Sequence, residues 1–372
     1  MSNENYRAIN NDLKYWIAIA KTGVVGSTRF KKLGSHFPDM EKAFLASFEE
    51  LIEAGIDAKT AEEFISKRKN ISPDEETEKM AKENIRAITL TDKQYPALLK
   101  EIYDAPPVLF YKGNIEILDE PGIGVVGSRK ISSYGQQTTP FLVKPLAKRG
   151  MVITSGLALG VDAIAHSAAL EVQGKTTAVL GSGLDKANIY PSHHRYLSDQ
   201  IVEKNGVIIS EYTVGTPPLN YNFPQRNRII SGLSLGVLII EAAEKSGALI
   251  TAKTALDQNR EVFAAPGSVF SPTSRGTHAL LKKGAHLATS ADDIIEILDF
   301  KKIVEYNENK KIIPETEEQK RILENLTDEP IHIDSLCRNL KMDAPILSSA
   351  LMMMEMKGMA KNLGGSMYVI GR

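Results

Sequence analysis

Short apolar runs without strict alternation recur through the middle of the chain. Eight of them predict strands, at residues 85–90, 107–112, 123–126, 151–153, 177–180, 207–209, 237–240 and 261–264. From residue 121 onward each run is followed by a loop containing glycine or serine, and most of these loops by a helical stretch. Strands buried on both faces show such runs, and alternation with helices is typical of a parallel sheet. Residues 121–300 therefore predict an α/β fold.

The pattern before this region is helical. Apolar residues recur at spacings of three and four along residues 13–20 and 44–52. Between them, Gly23 and Gly26 flank two valines and precede another helical pattern, which is the signature of a helix-hairpin-helix. Such a hairpin can offer free N–H groups to a phosphate. A plain turn between packed helices explains the same residues equally well.

The end of the chain predicts a winged helix. Helical stretches at 318–326, 333–340 and 346–356 precede a hairpin that turns at Gly364 and Gly365. The third helix lacks the basic and amide side chains that contact base edges. This composition favours a protein contact or a degenerate winged helix over one that recognises DNA sequence.

These patterns divide the chain into four predicted parts. Residues 1–80 form a helical domain of the helix-hairpin-helix or SAM-like type, and residues 81–300 form the sheet domain, in which 81–120 are a bridge. Residues 301–316 are a charged linker, and residues 317–372 are the winged helix.

Composition narrows the classes of function. Among 372 residues, 45 Lys and Arg stand against 46 Asp and Glu, so the chain has no globally basic surface for nucleic acid. The single cysteine, Cys337, excludes a disulfide framework and a cysteine-built zinc site. The polar start and the lack of a long apolar stretch predict a cytoplasmic protein without a membrane span. Residues 121–300 carry 17 basic and 14 acidic side chains, so binding of an anion requires a local cluster.

Loops at the ends of the predicted strands have the composition of phosphate-binding loops. Gly127, Ser128 and Arg129 combine close backbone approach, a hydroxyl donor and a guanidinium fork, and they lead into a helix whose N-terminus adds its dipole. Similar loops follow at Thr154–Gly156, Gly181–Gly183 and Ser246–Thr251. Several such loops at one sheet edge suit a polynucleotide backbone better than a mononucleotide. The alternative is a strand–helix turn with a surface arginine.

The segment Asn222–Ile230 is the densest cluster of candidate binding residues. Arg226 and Arg228 flank Asn227, and Phe223 lies three residues before Arg226. Arginines neutralise phosphates, and an aromatic ring beside them stacks on an unpaired base of any identity. The alternative is a helix start in which the arginines form salt bridges with Glu241 or Glu211.

Candidate catalytic groups are scarce. The stretch Gly122–Gly127 matches G-x-G-x-x-G, but the strand runs through it and no acidic residue follows before Asp162, which argues against a dinucleotide site. Asp162 and His166 share a helix face without a third ligand at metal spacing. No nucleophile is paired with a base. The sequence therefore predicts no catalytic residue, no metal and no cofactor.

Eight motifs resemble those of the DNA-processing protein A family (DprA/Smf) and occur in the family's order across the middle domain. They are Val125–Lys130, Ser155–Ala158, Gly160–His166, Ala178–Asp185, Ser210–Tyr212, Asn222–Ile230, Ser246–Thr251 and Pro266–Ser268. The N-terminal helices and the winged-helix pattern fit a three-domain member of the family.

The resemblance implies an extended Rossmann-like sheet that binds single-stranded DNA without sequence preference. It also implies a homodimer that protects incoming DNA and loads a RecA-type recombinase in natural transformation. Carried over by position, the phosphate pocket includes Gly127, Ser128, Arg129, Arg226, Asn227 and Arg228, with Phe223 against a base. Leu159 departs from the family pattern, which has a basic residue at that place, and this predicts a weaker phosphate contact.

The resulting hypothesis is a non-enzymatic, single-stranded DNA-binding protein. Its predicted site consists of Gly127, Ser128, Arg129, Ser155, Gly156, Gly181, Phe223, Arg226, Asn227, Arg228 and Ser246. One alternative is a nucleotide N-glycosidase similar to the lysine-decarboxylase-like phosphoribohydrolases, although Ser246–Thr251 lacks their Pro-Gly-Gly-x-Gly-Thr loop. Another is a scaffold whose terminal domains bind proteins.

Overall fold

The structure is a computed structural model that describes residues 3–299, 316–327, 330–340, 342–356 and 359–370. It divides into two compact units, one that ends at Leu298 and one that begins at Asp299. The predicted linker, 301–316, lies outside the described residues except for Thr316. The predicted division of the first unit at residue 80 stays a prediction.

The first unit contains a nine-stranded sheet, and eight of its strands match the predicted runs. The strands are β1 Arg86–Thr89, β2 Val108–Gly113, β3 Gly122–Val126, β4 Val152–Ser155, β5 Thr176–Leu180, β6 Val207–Ser210, β7 Gly236–Ile239, β8 Glu261–Ala264 and β9 His286–Leu287. Strand β9 has no counterpart among the predicted runs, because a strand of two residues is too short to show a pattern.

Fourteen α-helices surround this sheet in the described part of the first unit. They are α1 Asn3–Thr22, α2 Ser27–His36, α3 Met40–Leu45, α4 Phe48–Glu53, α5 Ala58–Arg68, α6 Pro73–Lys82, α7 Ala97–Lys100, α8 Ser133–Lys148, α9 Val161–Glu171, α10 Arg195–Glu203, α11 Asn222–Gly232, α12 Gly247–Asp257, α13 Arg275–Lys282 and α14 Ala291–Ile297.

Local capping explains where several of the short helices begin. Ser47 and Glu50 form a reciprocal capping box at α4, and Ser72 accepts from the Glu75 N–H at α6. Asp57 caps α5 and binds Arg29, and these contacts lower the pKa of its carboxyl to about 2. Such side chains satisfy N–H groups that a helix start otherwise leaves unpaired.

The sheet has the order β1-β2-β6-β5-β4-β3-β7-β8-β9, and β3 to β9 run parallel. β2 pairs antiparallel with both β1 and β6, so residues from the predicted bridge extend the same sheet. This parallel-dominated sheet confirms the predicted α/β, Rossmann-like fold class.

Both faces of the sheet are covered by helices, which explains the continuous apolar runs. In β2, Val108 and Phe110 face a core shared with the N-terminal helices, whereas Leu109 and Tyr111 face a second core shared with α11 and α12. Ile208 of β6 faces the first core in the same way. Burial on both faces requires apolar side chains at every position.

The N-terminal hairpin packs against the sheet. Gly23 to Gly26 form the turn between α1 and α2, and Ser27 Oγ donates a 2.8 Å hydrogen bond to the Ala105 carbonyl. The turn lines a cavity that is also lined by Glu101, Asp104 and Glu211. Arg228 and Arg260 line the same cavity and are paired with these carboxylates. Because both guanidinium charges are already neutralised, this placement favours a turn between packed helices over a phosphate-binding hairpin.

The second unit has the order of elements expected of a winged helix. It contains α15 Glu317–Leu323, β10 Ile331–His332, α16 Ile333–Leu340, α17 Ala344–Met356, β11 Ala360–Asn362 and β12 Met367–Ile370. The strands form one antiparallel sheet in which β12 lies between β10 and β11. Met354 packs in its core, whereas Met352 and Met353 are exposed. In the described parts of the chain, no helix combines the length and apolarity needed to cross a bilayer.

The pairing of β2 with β6 predicts different costs for two glycine substitutions. Gly113 has φ +101°, and a Cβ there would meet the Gly206 carbonyl and lie 3.2 Å from Val207 Cα. Gly150 has φ +90° but nothing within 4 Å. We expect Gly150→Ala to cost about 1–2 kcal/mol and Gly113→Ala at least about 1 kcal/mol more. Thermal unfolding followed by circular dichroism measures both, and equal losses would contradict the close packing of this edge.

Candidate functional site

A cleft of about 540 Å³ lies where the strand order of the sheet reverses. β3 neighbours both β4 and β7, so the chain leaves β3 toward one side and β7 toward the other. Such divergence opens a crevice at the carboxyl ends of parallel strands, the usual place for a ligand. The cleft is lined by Val126–Lys130, Ala158, Asp162, Asn220, Phe223, Pro224, Arg226, Asn227, Ala243, Ser246–Ala248, Thr251 and Thr273.

Seven of the eleven predicted site residues line this cleft. They come from three elements: the loop after β3 supplies Gly127, Ser128 and Arg129, α11 supplies Phe223, Arg226 and Asn227, and the start of α12 supplies Ser246. Gly127 permits the close approach of the loop after β3 to α9, because a Cβ there would lie 2.5 Å from Val161 Cγ2. About 100 residues separate the loop after β3 from the other two elements, yet the side chains of all three surround one space.

Arg226 forms the floor of the cleft. Its residue is only 3% exposed, and one guanidinium nitrogen donates to the carbonyl oxygens of Gly156 and Val179, which lie at the ends of β4 and β5. Nε donates to Asn227 Oδ1 at 3.3 Å. Burial lowers the pKa of Arg226 to about 10, so it is positively charged at neutral pH.

Arg129, Phe223 and Tyr190 form a row of flat groups at the mouth of the cleft. The Arg129 guanidinium lies 5.1 Å from the centre of the Phe223 ring. The centre of the Tyr190 ring, on an adjacent loop, lies 5.7 Å from the centre of the Phe223 ring. Arg129 is exposed and makes no ion pair with another described residue, and Tyr190 is 47% exposed. Guanidinium and aromatic faces of this kind stack on bases.

Several residues of the cleft are not among the predicted site residues. Lys130 extends the charge of Arg129, and Asn220 lies three residues before Phe223. Thr251 lies on α12 about one turn after Ser246, and its buried hydroxyl has no hydrogen-bond partner within the described residues. The available signal for Thr251 was its place in the predicted loop Ser246–Thr251. Tyr190 gave no signal, because its contact with Phe223 is tertiary.

The N-terminus of α8 is occupied by a side chain of the protein itself. Glu241 accepts hydrogen bonds from the Ser132 N–H at 3.0 Å, from the Ser132 hydroxyl and from the Thr273 hydroxyl. This buried carboxylate fills the place where the sequence predicted that the α8 dipole would attract a phosphate. The expectation that this helix end attracts a phosphate is therefore corrected. The sequence could not show the contact, because Glu241 follows β7 and no local pattern links it to α8.

The residues at the ends of β4 and β5 are buried and make contacts within the protein. Ser155 is fully buried and donates to the Val125 carbonyl at 2.6 Å, and the Gly156 N–H donates to the Asp162 carboxylate at 3.1 Å. Gly181 lies beneath the Phe223 ring, which a Cβ at Gly181 would approach to 2.9 Å. These three predicted site residues therefore support the cleft from below and do not line it.

Arg228 lies outside the cleft. Its guanidinium pairs with Asp104 at 2.9 Å and with Glu211 at 2.6 Å, and it lines the separate cavity of about 1240 Å³ beside the N-terminal turn. The alternative of a salt bridge to Glu211 is thus what the structure shows for this residue. Burial raises the pKa of Glu211, and Arg228 opposes that rise.

Asp162 and His166 share a face of α9 and serve the structure. Asp162 also accepts from the Ala158 N–H at 3.3 Å, and burial raises the pKa of its carboxyl against the effect of Arg226. His166 Nδ1 lies 2.7 Å from the Thr176 hydroxyl, which itself donates to the Ile153 carbonyl, so Nδ1 carries the proton. In the described residues no group of three His, Cys, Asp or Glu is placed to hold a metal ion.

Comparison with known families matches both units of the chain. The model of the family described as DNA recombination-mediator protein A matches residues 86–299, more than half of the chain. The chain belongs to the DprA/Smf family. The model of the DprA winged helix domain matches residues 308–366, which confirms the predicted type of the C-terminal domain.

Individual members of the DprA/Smf family are similar over most of their length. Protein Smf of Escherichia coli (strain K12) is 41% identical over 281 residues, which cover 74% of this chain and 75% of the relative. DNA processing protein DprA of Bacillus subtilis (strain 168) is 44% identical over 227 residues, which cover 61% of this chain and 75% of the relative.

Two solved structures of DNA processing protein A have a similar fold. The X-ray structure from Streptococcus pneumoniae has a TM-score of 0.66 and 35% identity, over 76% of this chain and 97% of that one. The Helicobacter pylori protein has a TM-score of 0.51 and 34% identity, over 57% of this chain and 95% of that one. The latter structure describes a mode of single-stranded DNA binding by that protein.

The burial of His166 predicts a pH dependence of stability. Burial lowers the pKa of its imidazole from 6.5 to about 3, so between these values the unfolded chain binds a proton that the folded chain does not. Stability should fall as the pH drops below 6.5, by up to about 1.4 kcal/mol per pH unit. Thermal unfolding of the wild type and of His166→Leu, from pH 7 to pH 4, should show a shallower dependence in the variant.

The exposed His193 provides the control, because His193→Gln should keep the wild-type dependence. The wild type and His166→Leu share every other titrating group, so the difference between their slopes of stability against pH isolates His166. Identical slopes for the wild type and His166→Leu would contradict a neutral, buried imidazole.

Proposed function

We propose that this protein binds single-stranded DNA in the cleft between β3 and β7. The observation that carries the proposal is the stacking of Arg129 on Phe223 above the buried guanidinium of Arg226. A cation and a ring face in one cleft match the alternating phosphates and bases of an unpaired strand. In duplex DNA the bases stack on each other, so no base face is free to stack on the Phe223 ring.

The proposed contacts predict binding of any base sequence. Arg129 and Lys130 hold phosphates, and Phe223 and Tyr190 stack on bases. The hydroxyls of Ser246 and Thr251 and the amide of Asn220 are further donors at the cleft. Every base has a stacking face and every nucleotide a phosphate, so these groups do not distinguish sequences. Arg228 is not part of this proposed site, because its guanidinium is held by two carboxylates elsewhere.

The similarity to the Helicobacter pylori protein supports this proposal, as does membership of the DprA/Smf family. The proposal extends to a role in DNA processing during natural transformation, in which the bound strand is passed to a RecA-type recombinase by a homodimer. It also states that the cleft is not catalytic, since Asp162, His166 and Glu241 are committed to hydrogen bonds within the fold. Release of free base from nucleoside monophosphates would contradict this last part.

Arg129→Ala is the first test of the proposed site. Losing one charge-assisted contact should weaken binding of oligothymidylate by about ten-fold or more. The slope of log affinity against log salt should also become shallower by about 0.7, because one fewer counterion is released. Fluorescence anisotropy of a labelled strand, titrated at several salt concentrations, measures both quantities.

Arg149→Ala is the matched control for this test. Arg149 follows the C-terminus of α8, at the opposite end of that helix from Arg129, and pairs with Asp292 on the surface. The substitution removes the same charge as Arg129→Ala, but at a position away from the cleft. It should therefore leave the affinity and the salt slope close to those of the wild type. An equal effect of the two substitutions would show that bulk charge, and not the cleft, attracts the strand.

Leu159 offers a test by gain of affinity. It is 39% exposed and follows Ala158, which lines the cleft, at the place where the family resemblance leads us to expect a basic residue. Leu159→Arg should strengthen binding by about two- to five-fold, the range of one exposed charge pair, and steepen the salt slope. The same titration detects the gain, and Leu159→Gln should show none of it. Weaker binding by the arginine variant would place the strand away from this loop.

A further inference from the structure

An apolar tip projects from the loop that follows β8. This loop, residues 265–274, is called the β8 loop. Within it, Phe270 is 92% exposed and Val269 is 75% exposed, among the most exposed large apolar side chains of the described chain. Exposure of a phenylalanine to this extent forfeits about the whole of its burial energy. The cleft described above does not include either residue.

The β8 loop is held firmly on both sides of its tip. The Tyr134 hydroxyl donates to the Pro266 carbonyl, and the Ser271 N–H donates to the Ser268 carbonyl at 3.0 Å. On the far side, the Ala242 N–H donates to the Thr273 carbonyl at 2.7 Å. The exposure of Phe270 therefore follows from a fixed backbone turn, and not from a loose segment.

The same contacts place the tip beside the cleft. Thr273 lines the cleft, lies three residues after Phe270, and donates its hydroxyl to Glu241 at 3.0 Å. β8 pairs directly with β7, whose following loop supplies Ala243 and Ser246 to the cleft. A DNA strand that leaves the cleft past β7 would thus meet the β8 loop next.

Exposed cations lie along this side of the sheet edge. Lys130 follows β3, Lys245 follows β7 and Arg275 follows the β8 loop, and within the described residues none of the three forms an ion pair. One exposed carboxylate, Glu244, lies on the same loops. The residues directly after β4 and β5, 156–158 and 181–185, carry no exposed charge, so the exposed charge at the strand ends favours a path from β3 toward β8.

We infer that Phe270, with Val269, is a second stacking surface for single-stranded DNA that continues out of the cleft. The inference rests on the proposed function and extends its site by one loop. Two apolar side chains suit one or two bases, whereas a stable protein interface buries about 800 Å² on each partner. The chemistry therefore favours unpaired nucleotides over a docked protein.

The experiment measures affinity for a long oligothymidylate by anisotropy in the full-length protein. Removal of one stacked base should weaken binding by about five-fold or more in Phe270→Ala. Phe270→Leu, which keeps the apolar volume but removes the ring, should lose nearly as much. Phe270→Trp should keep the affinity, and its new indole emission should be quenched by the strand. The native Trp16 is buried on Phe30, so it leaves this signal unchanged.

Tyr103→Ala is the matched control, because Tyr103 is 84% exposed and lines the other cavity. It should bind as the wild type does. Melting temperatures should be equal in all variants, since neither ring packs in a core.

Wild-type affinity in Phe270→Ala would overturn the inference. Wild-type affinity in Phe270→Leu would overturn it as well, because it would show that the aromatic ring does not stack on a base. If the wild type binds and Arg129→Ala does not, while Phe270→Ala is normal, only the second surface is refuted. If the wild type itself fails to bind, the proposed function falls, and the inference falls with it.

Discussion

β3 and β7 are hydrogen-bonded neighbours, yet the chain leaves them toward opposite sides of the sheet. No connection can bridge their carboxyl ends, so the loops that follow them part and leave an open space. The loop after β3 brings Arg129, and α12, after β7, brings Ser246. α11 crosses beneath and supplies Phe223 and Arg226. The position of the cleft is thus a property of the strand order, and the side chains only determine what enters it.

The ionisable groups around this space divide into two kinds. Asp162, Glu241 and Arg226 are buried and hydrogen-bonded to groups of the fold itself. Arg129 and Lys130 are exposed and free to meet an anion. Exposed charge on a rigid support is what the binding surface proposed above requires.

The strands and the loops at their ends could be predicted because two-sided burial leaves apolar runs in the sequence, as in β5 and β7. The separation of Arg226 from Arg228 could not be seen in their shared motif. Two residues apart on a helix, they point about 200° apart, so one enters the cleft and the other the opposite cavity. The capping of α8 by Glu241 was beyond prediction for another reason, since 109 residues separate Glu241 from Ser132.

The hydrogen bonds from Arg226 to the ends of β4 and β5 have a consequence for association. They fix the shape of the cleft floor when the chain folds, so little conformational freedom is left to lose when a ligand arrives. Preorganised surfaces of this type retain more of their contact energy as affinity. Capture of a flexible polymer then costs mainly the polymer's own entropy, and the protein can act as a rigid template on which that polymer becomes ordered.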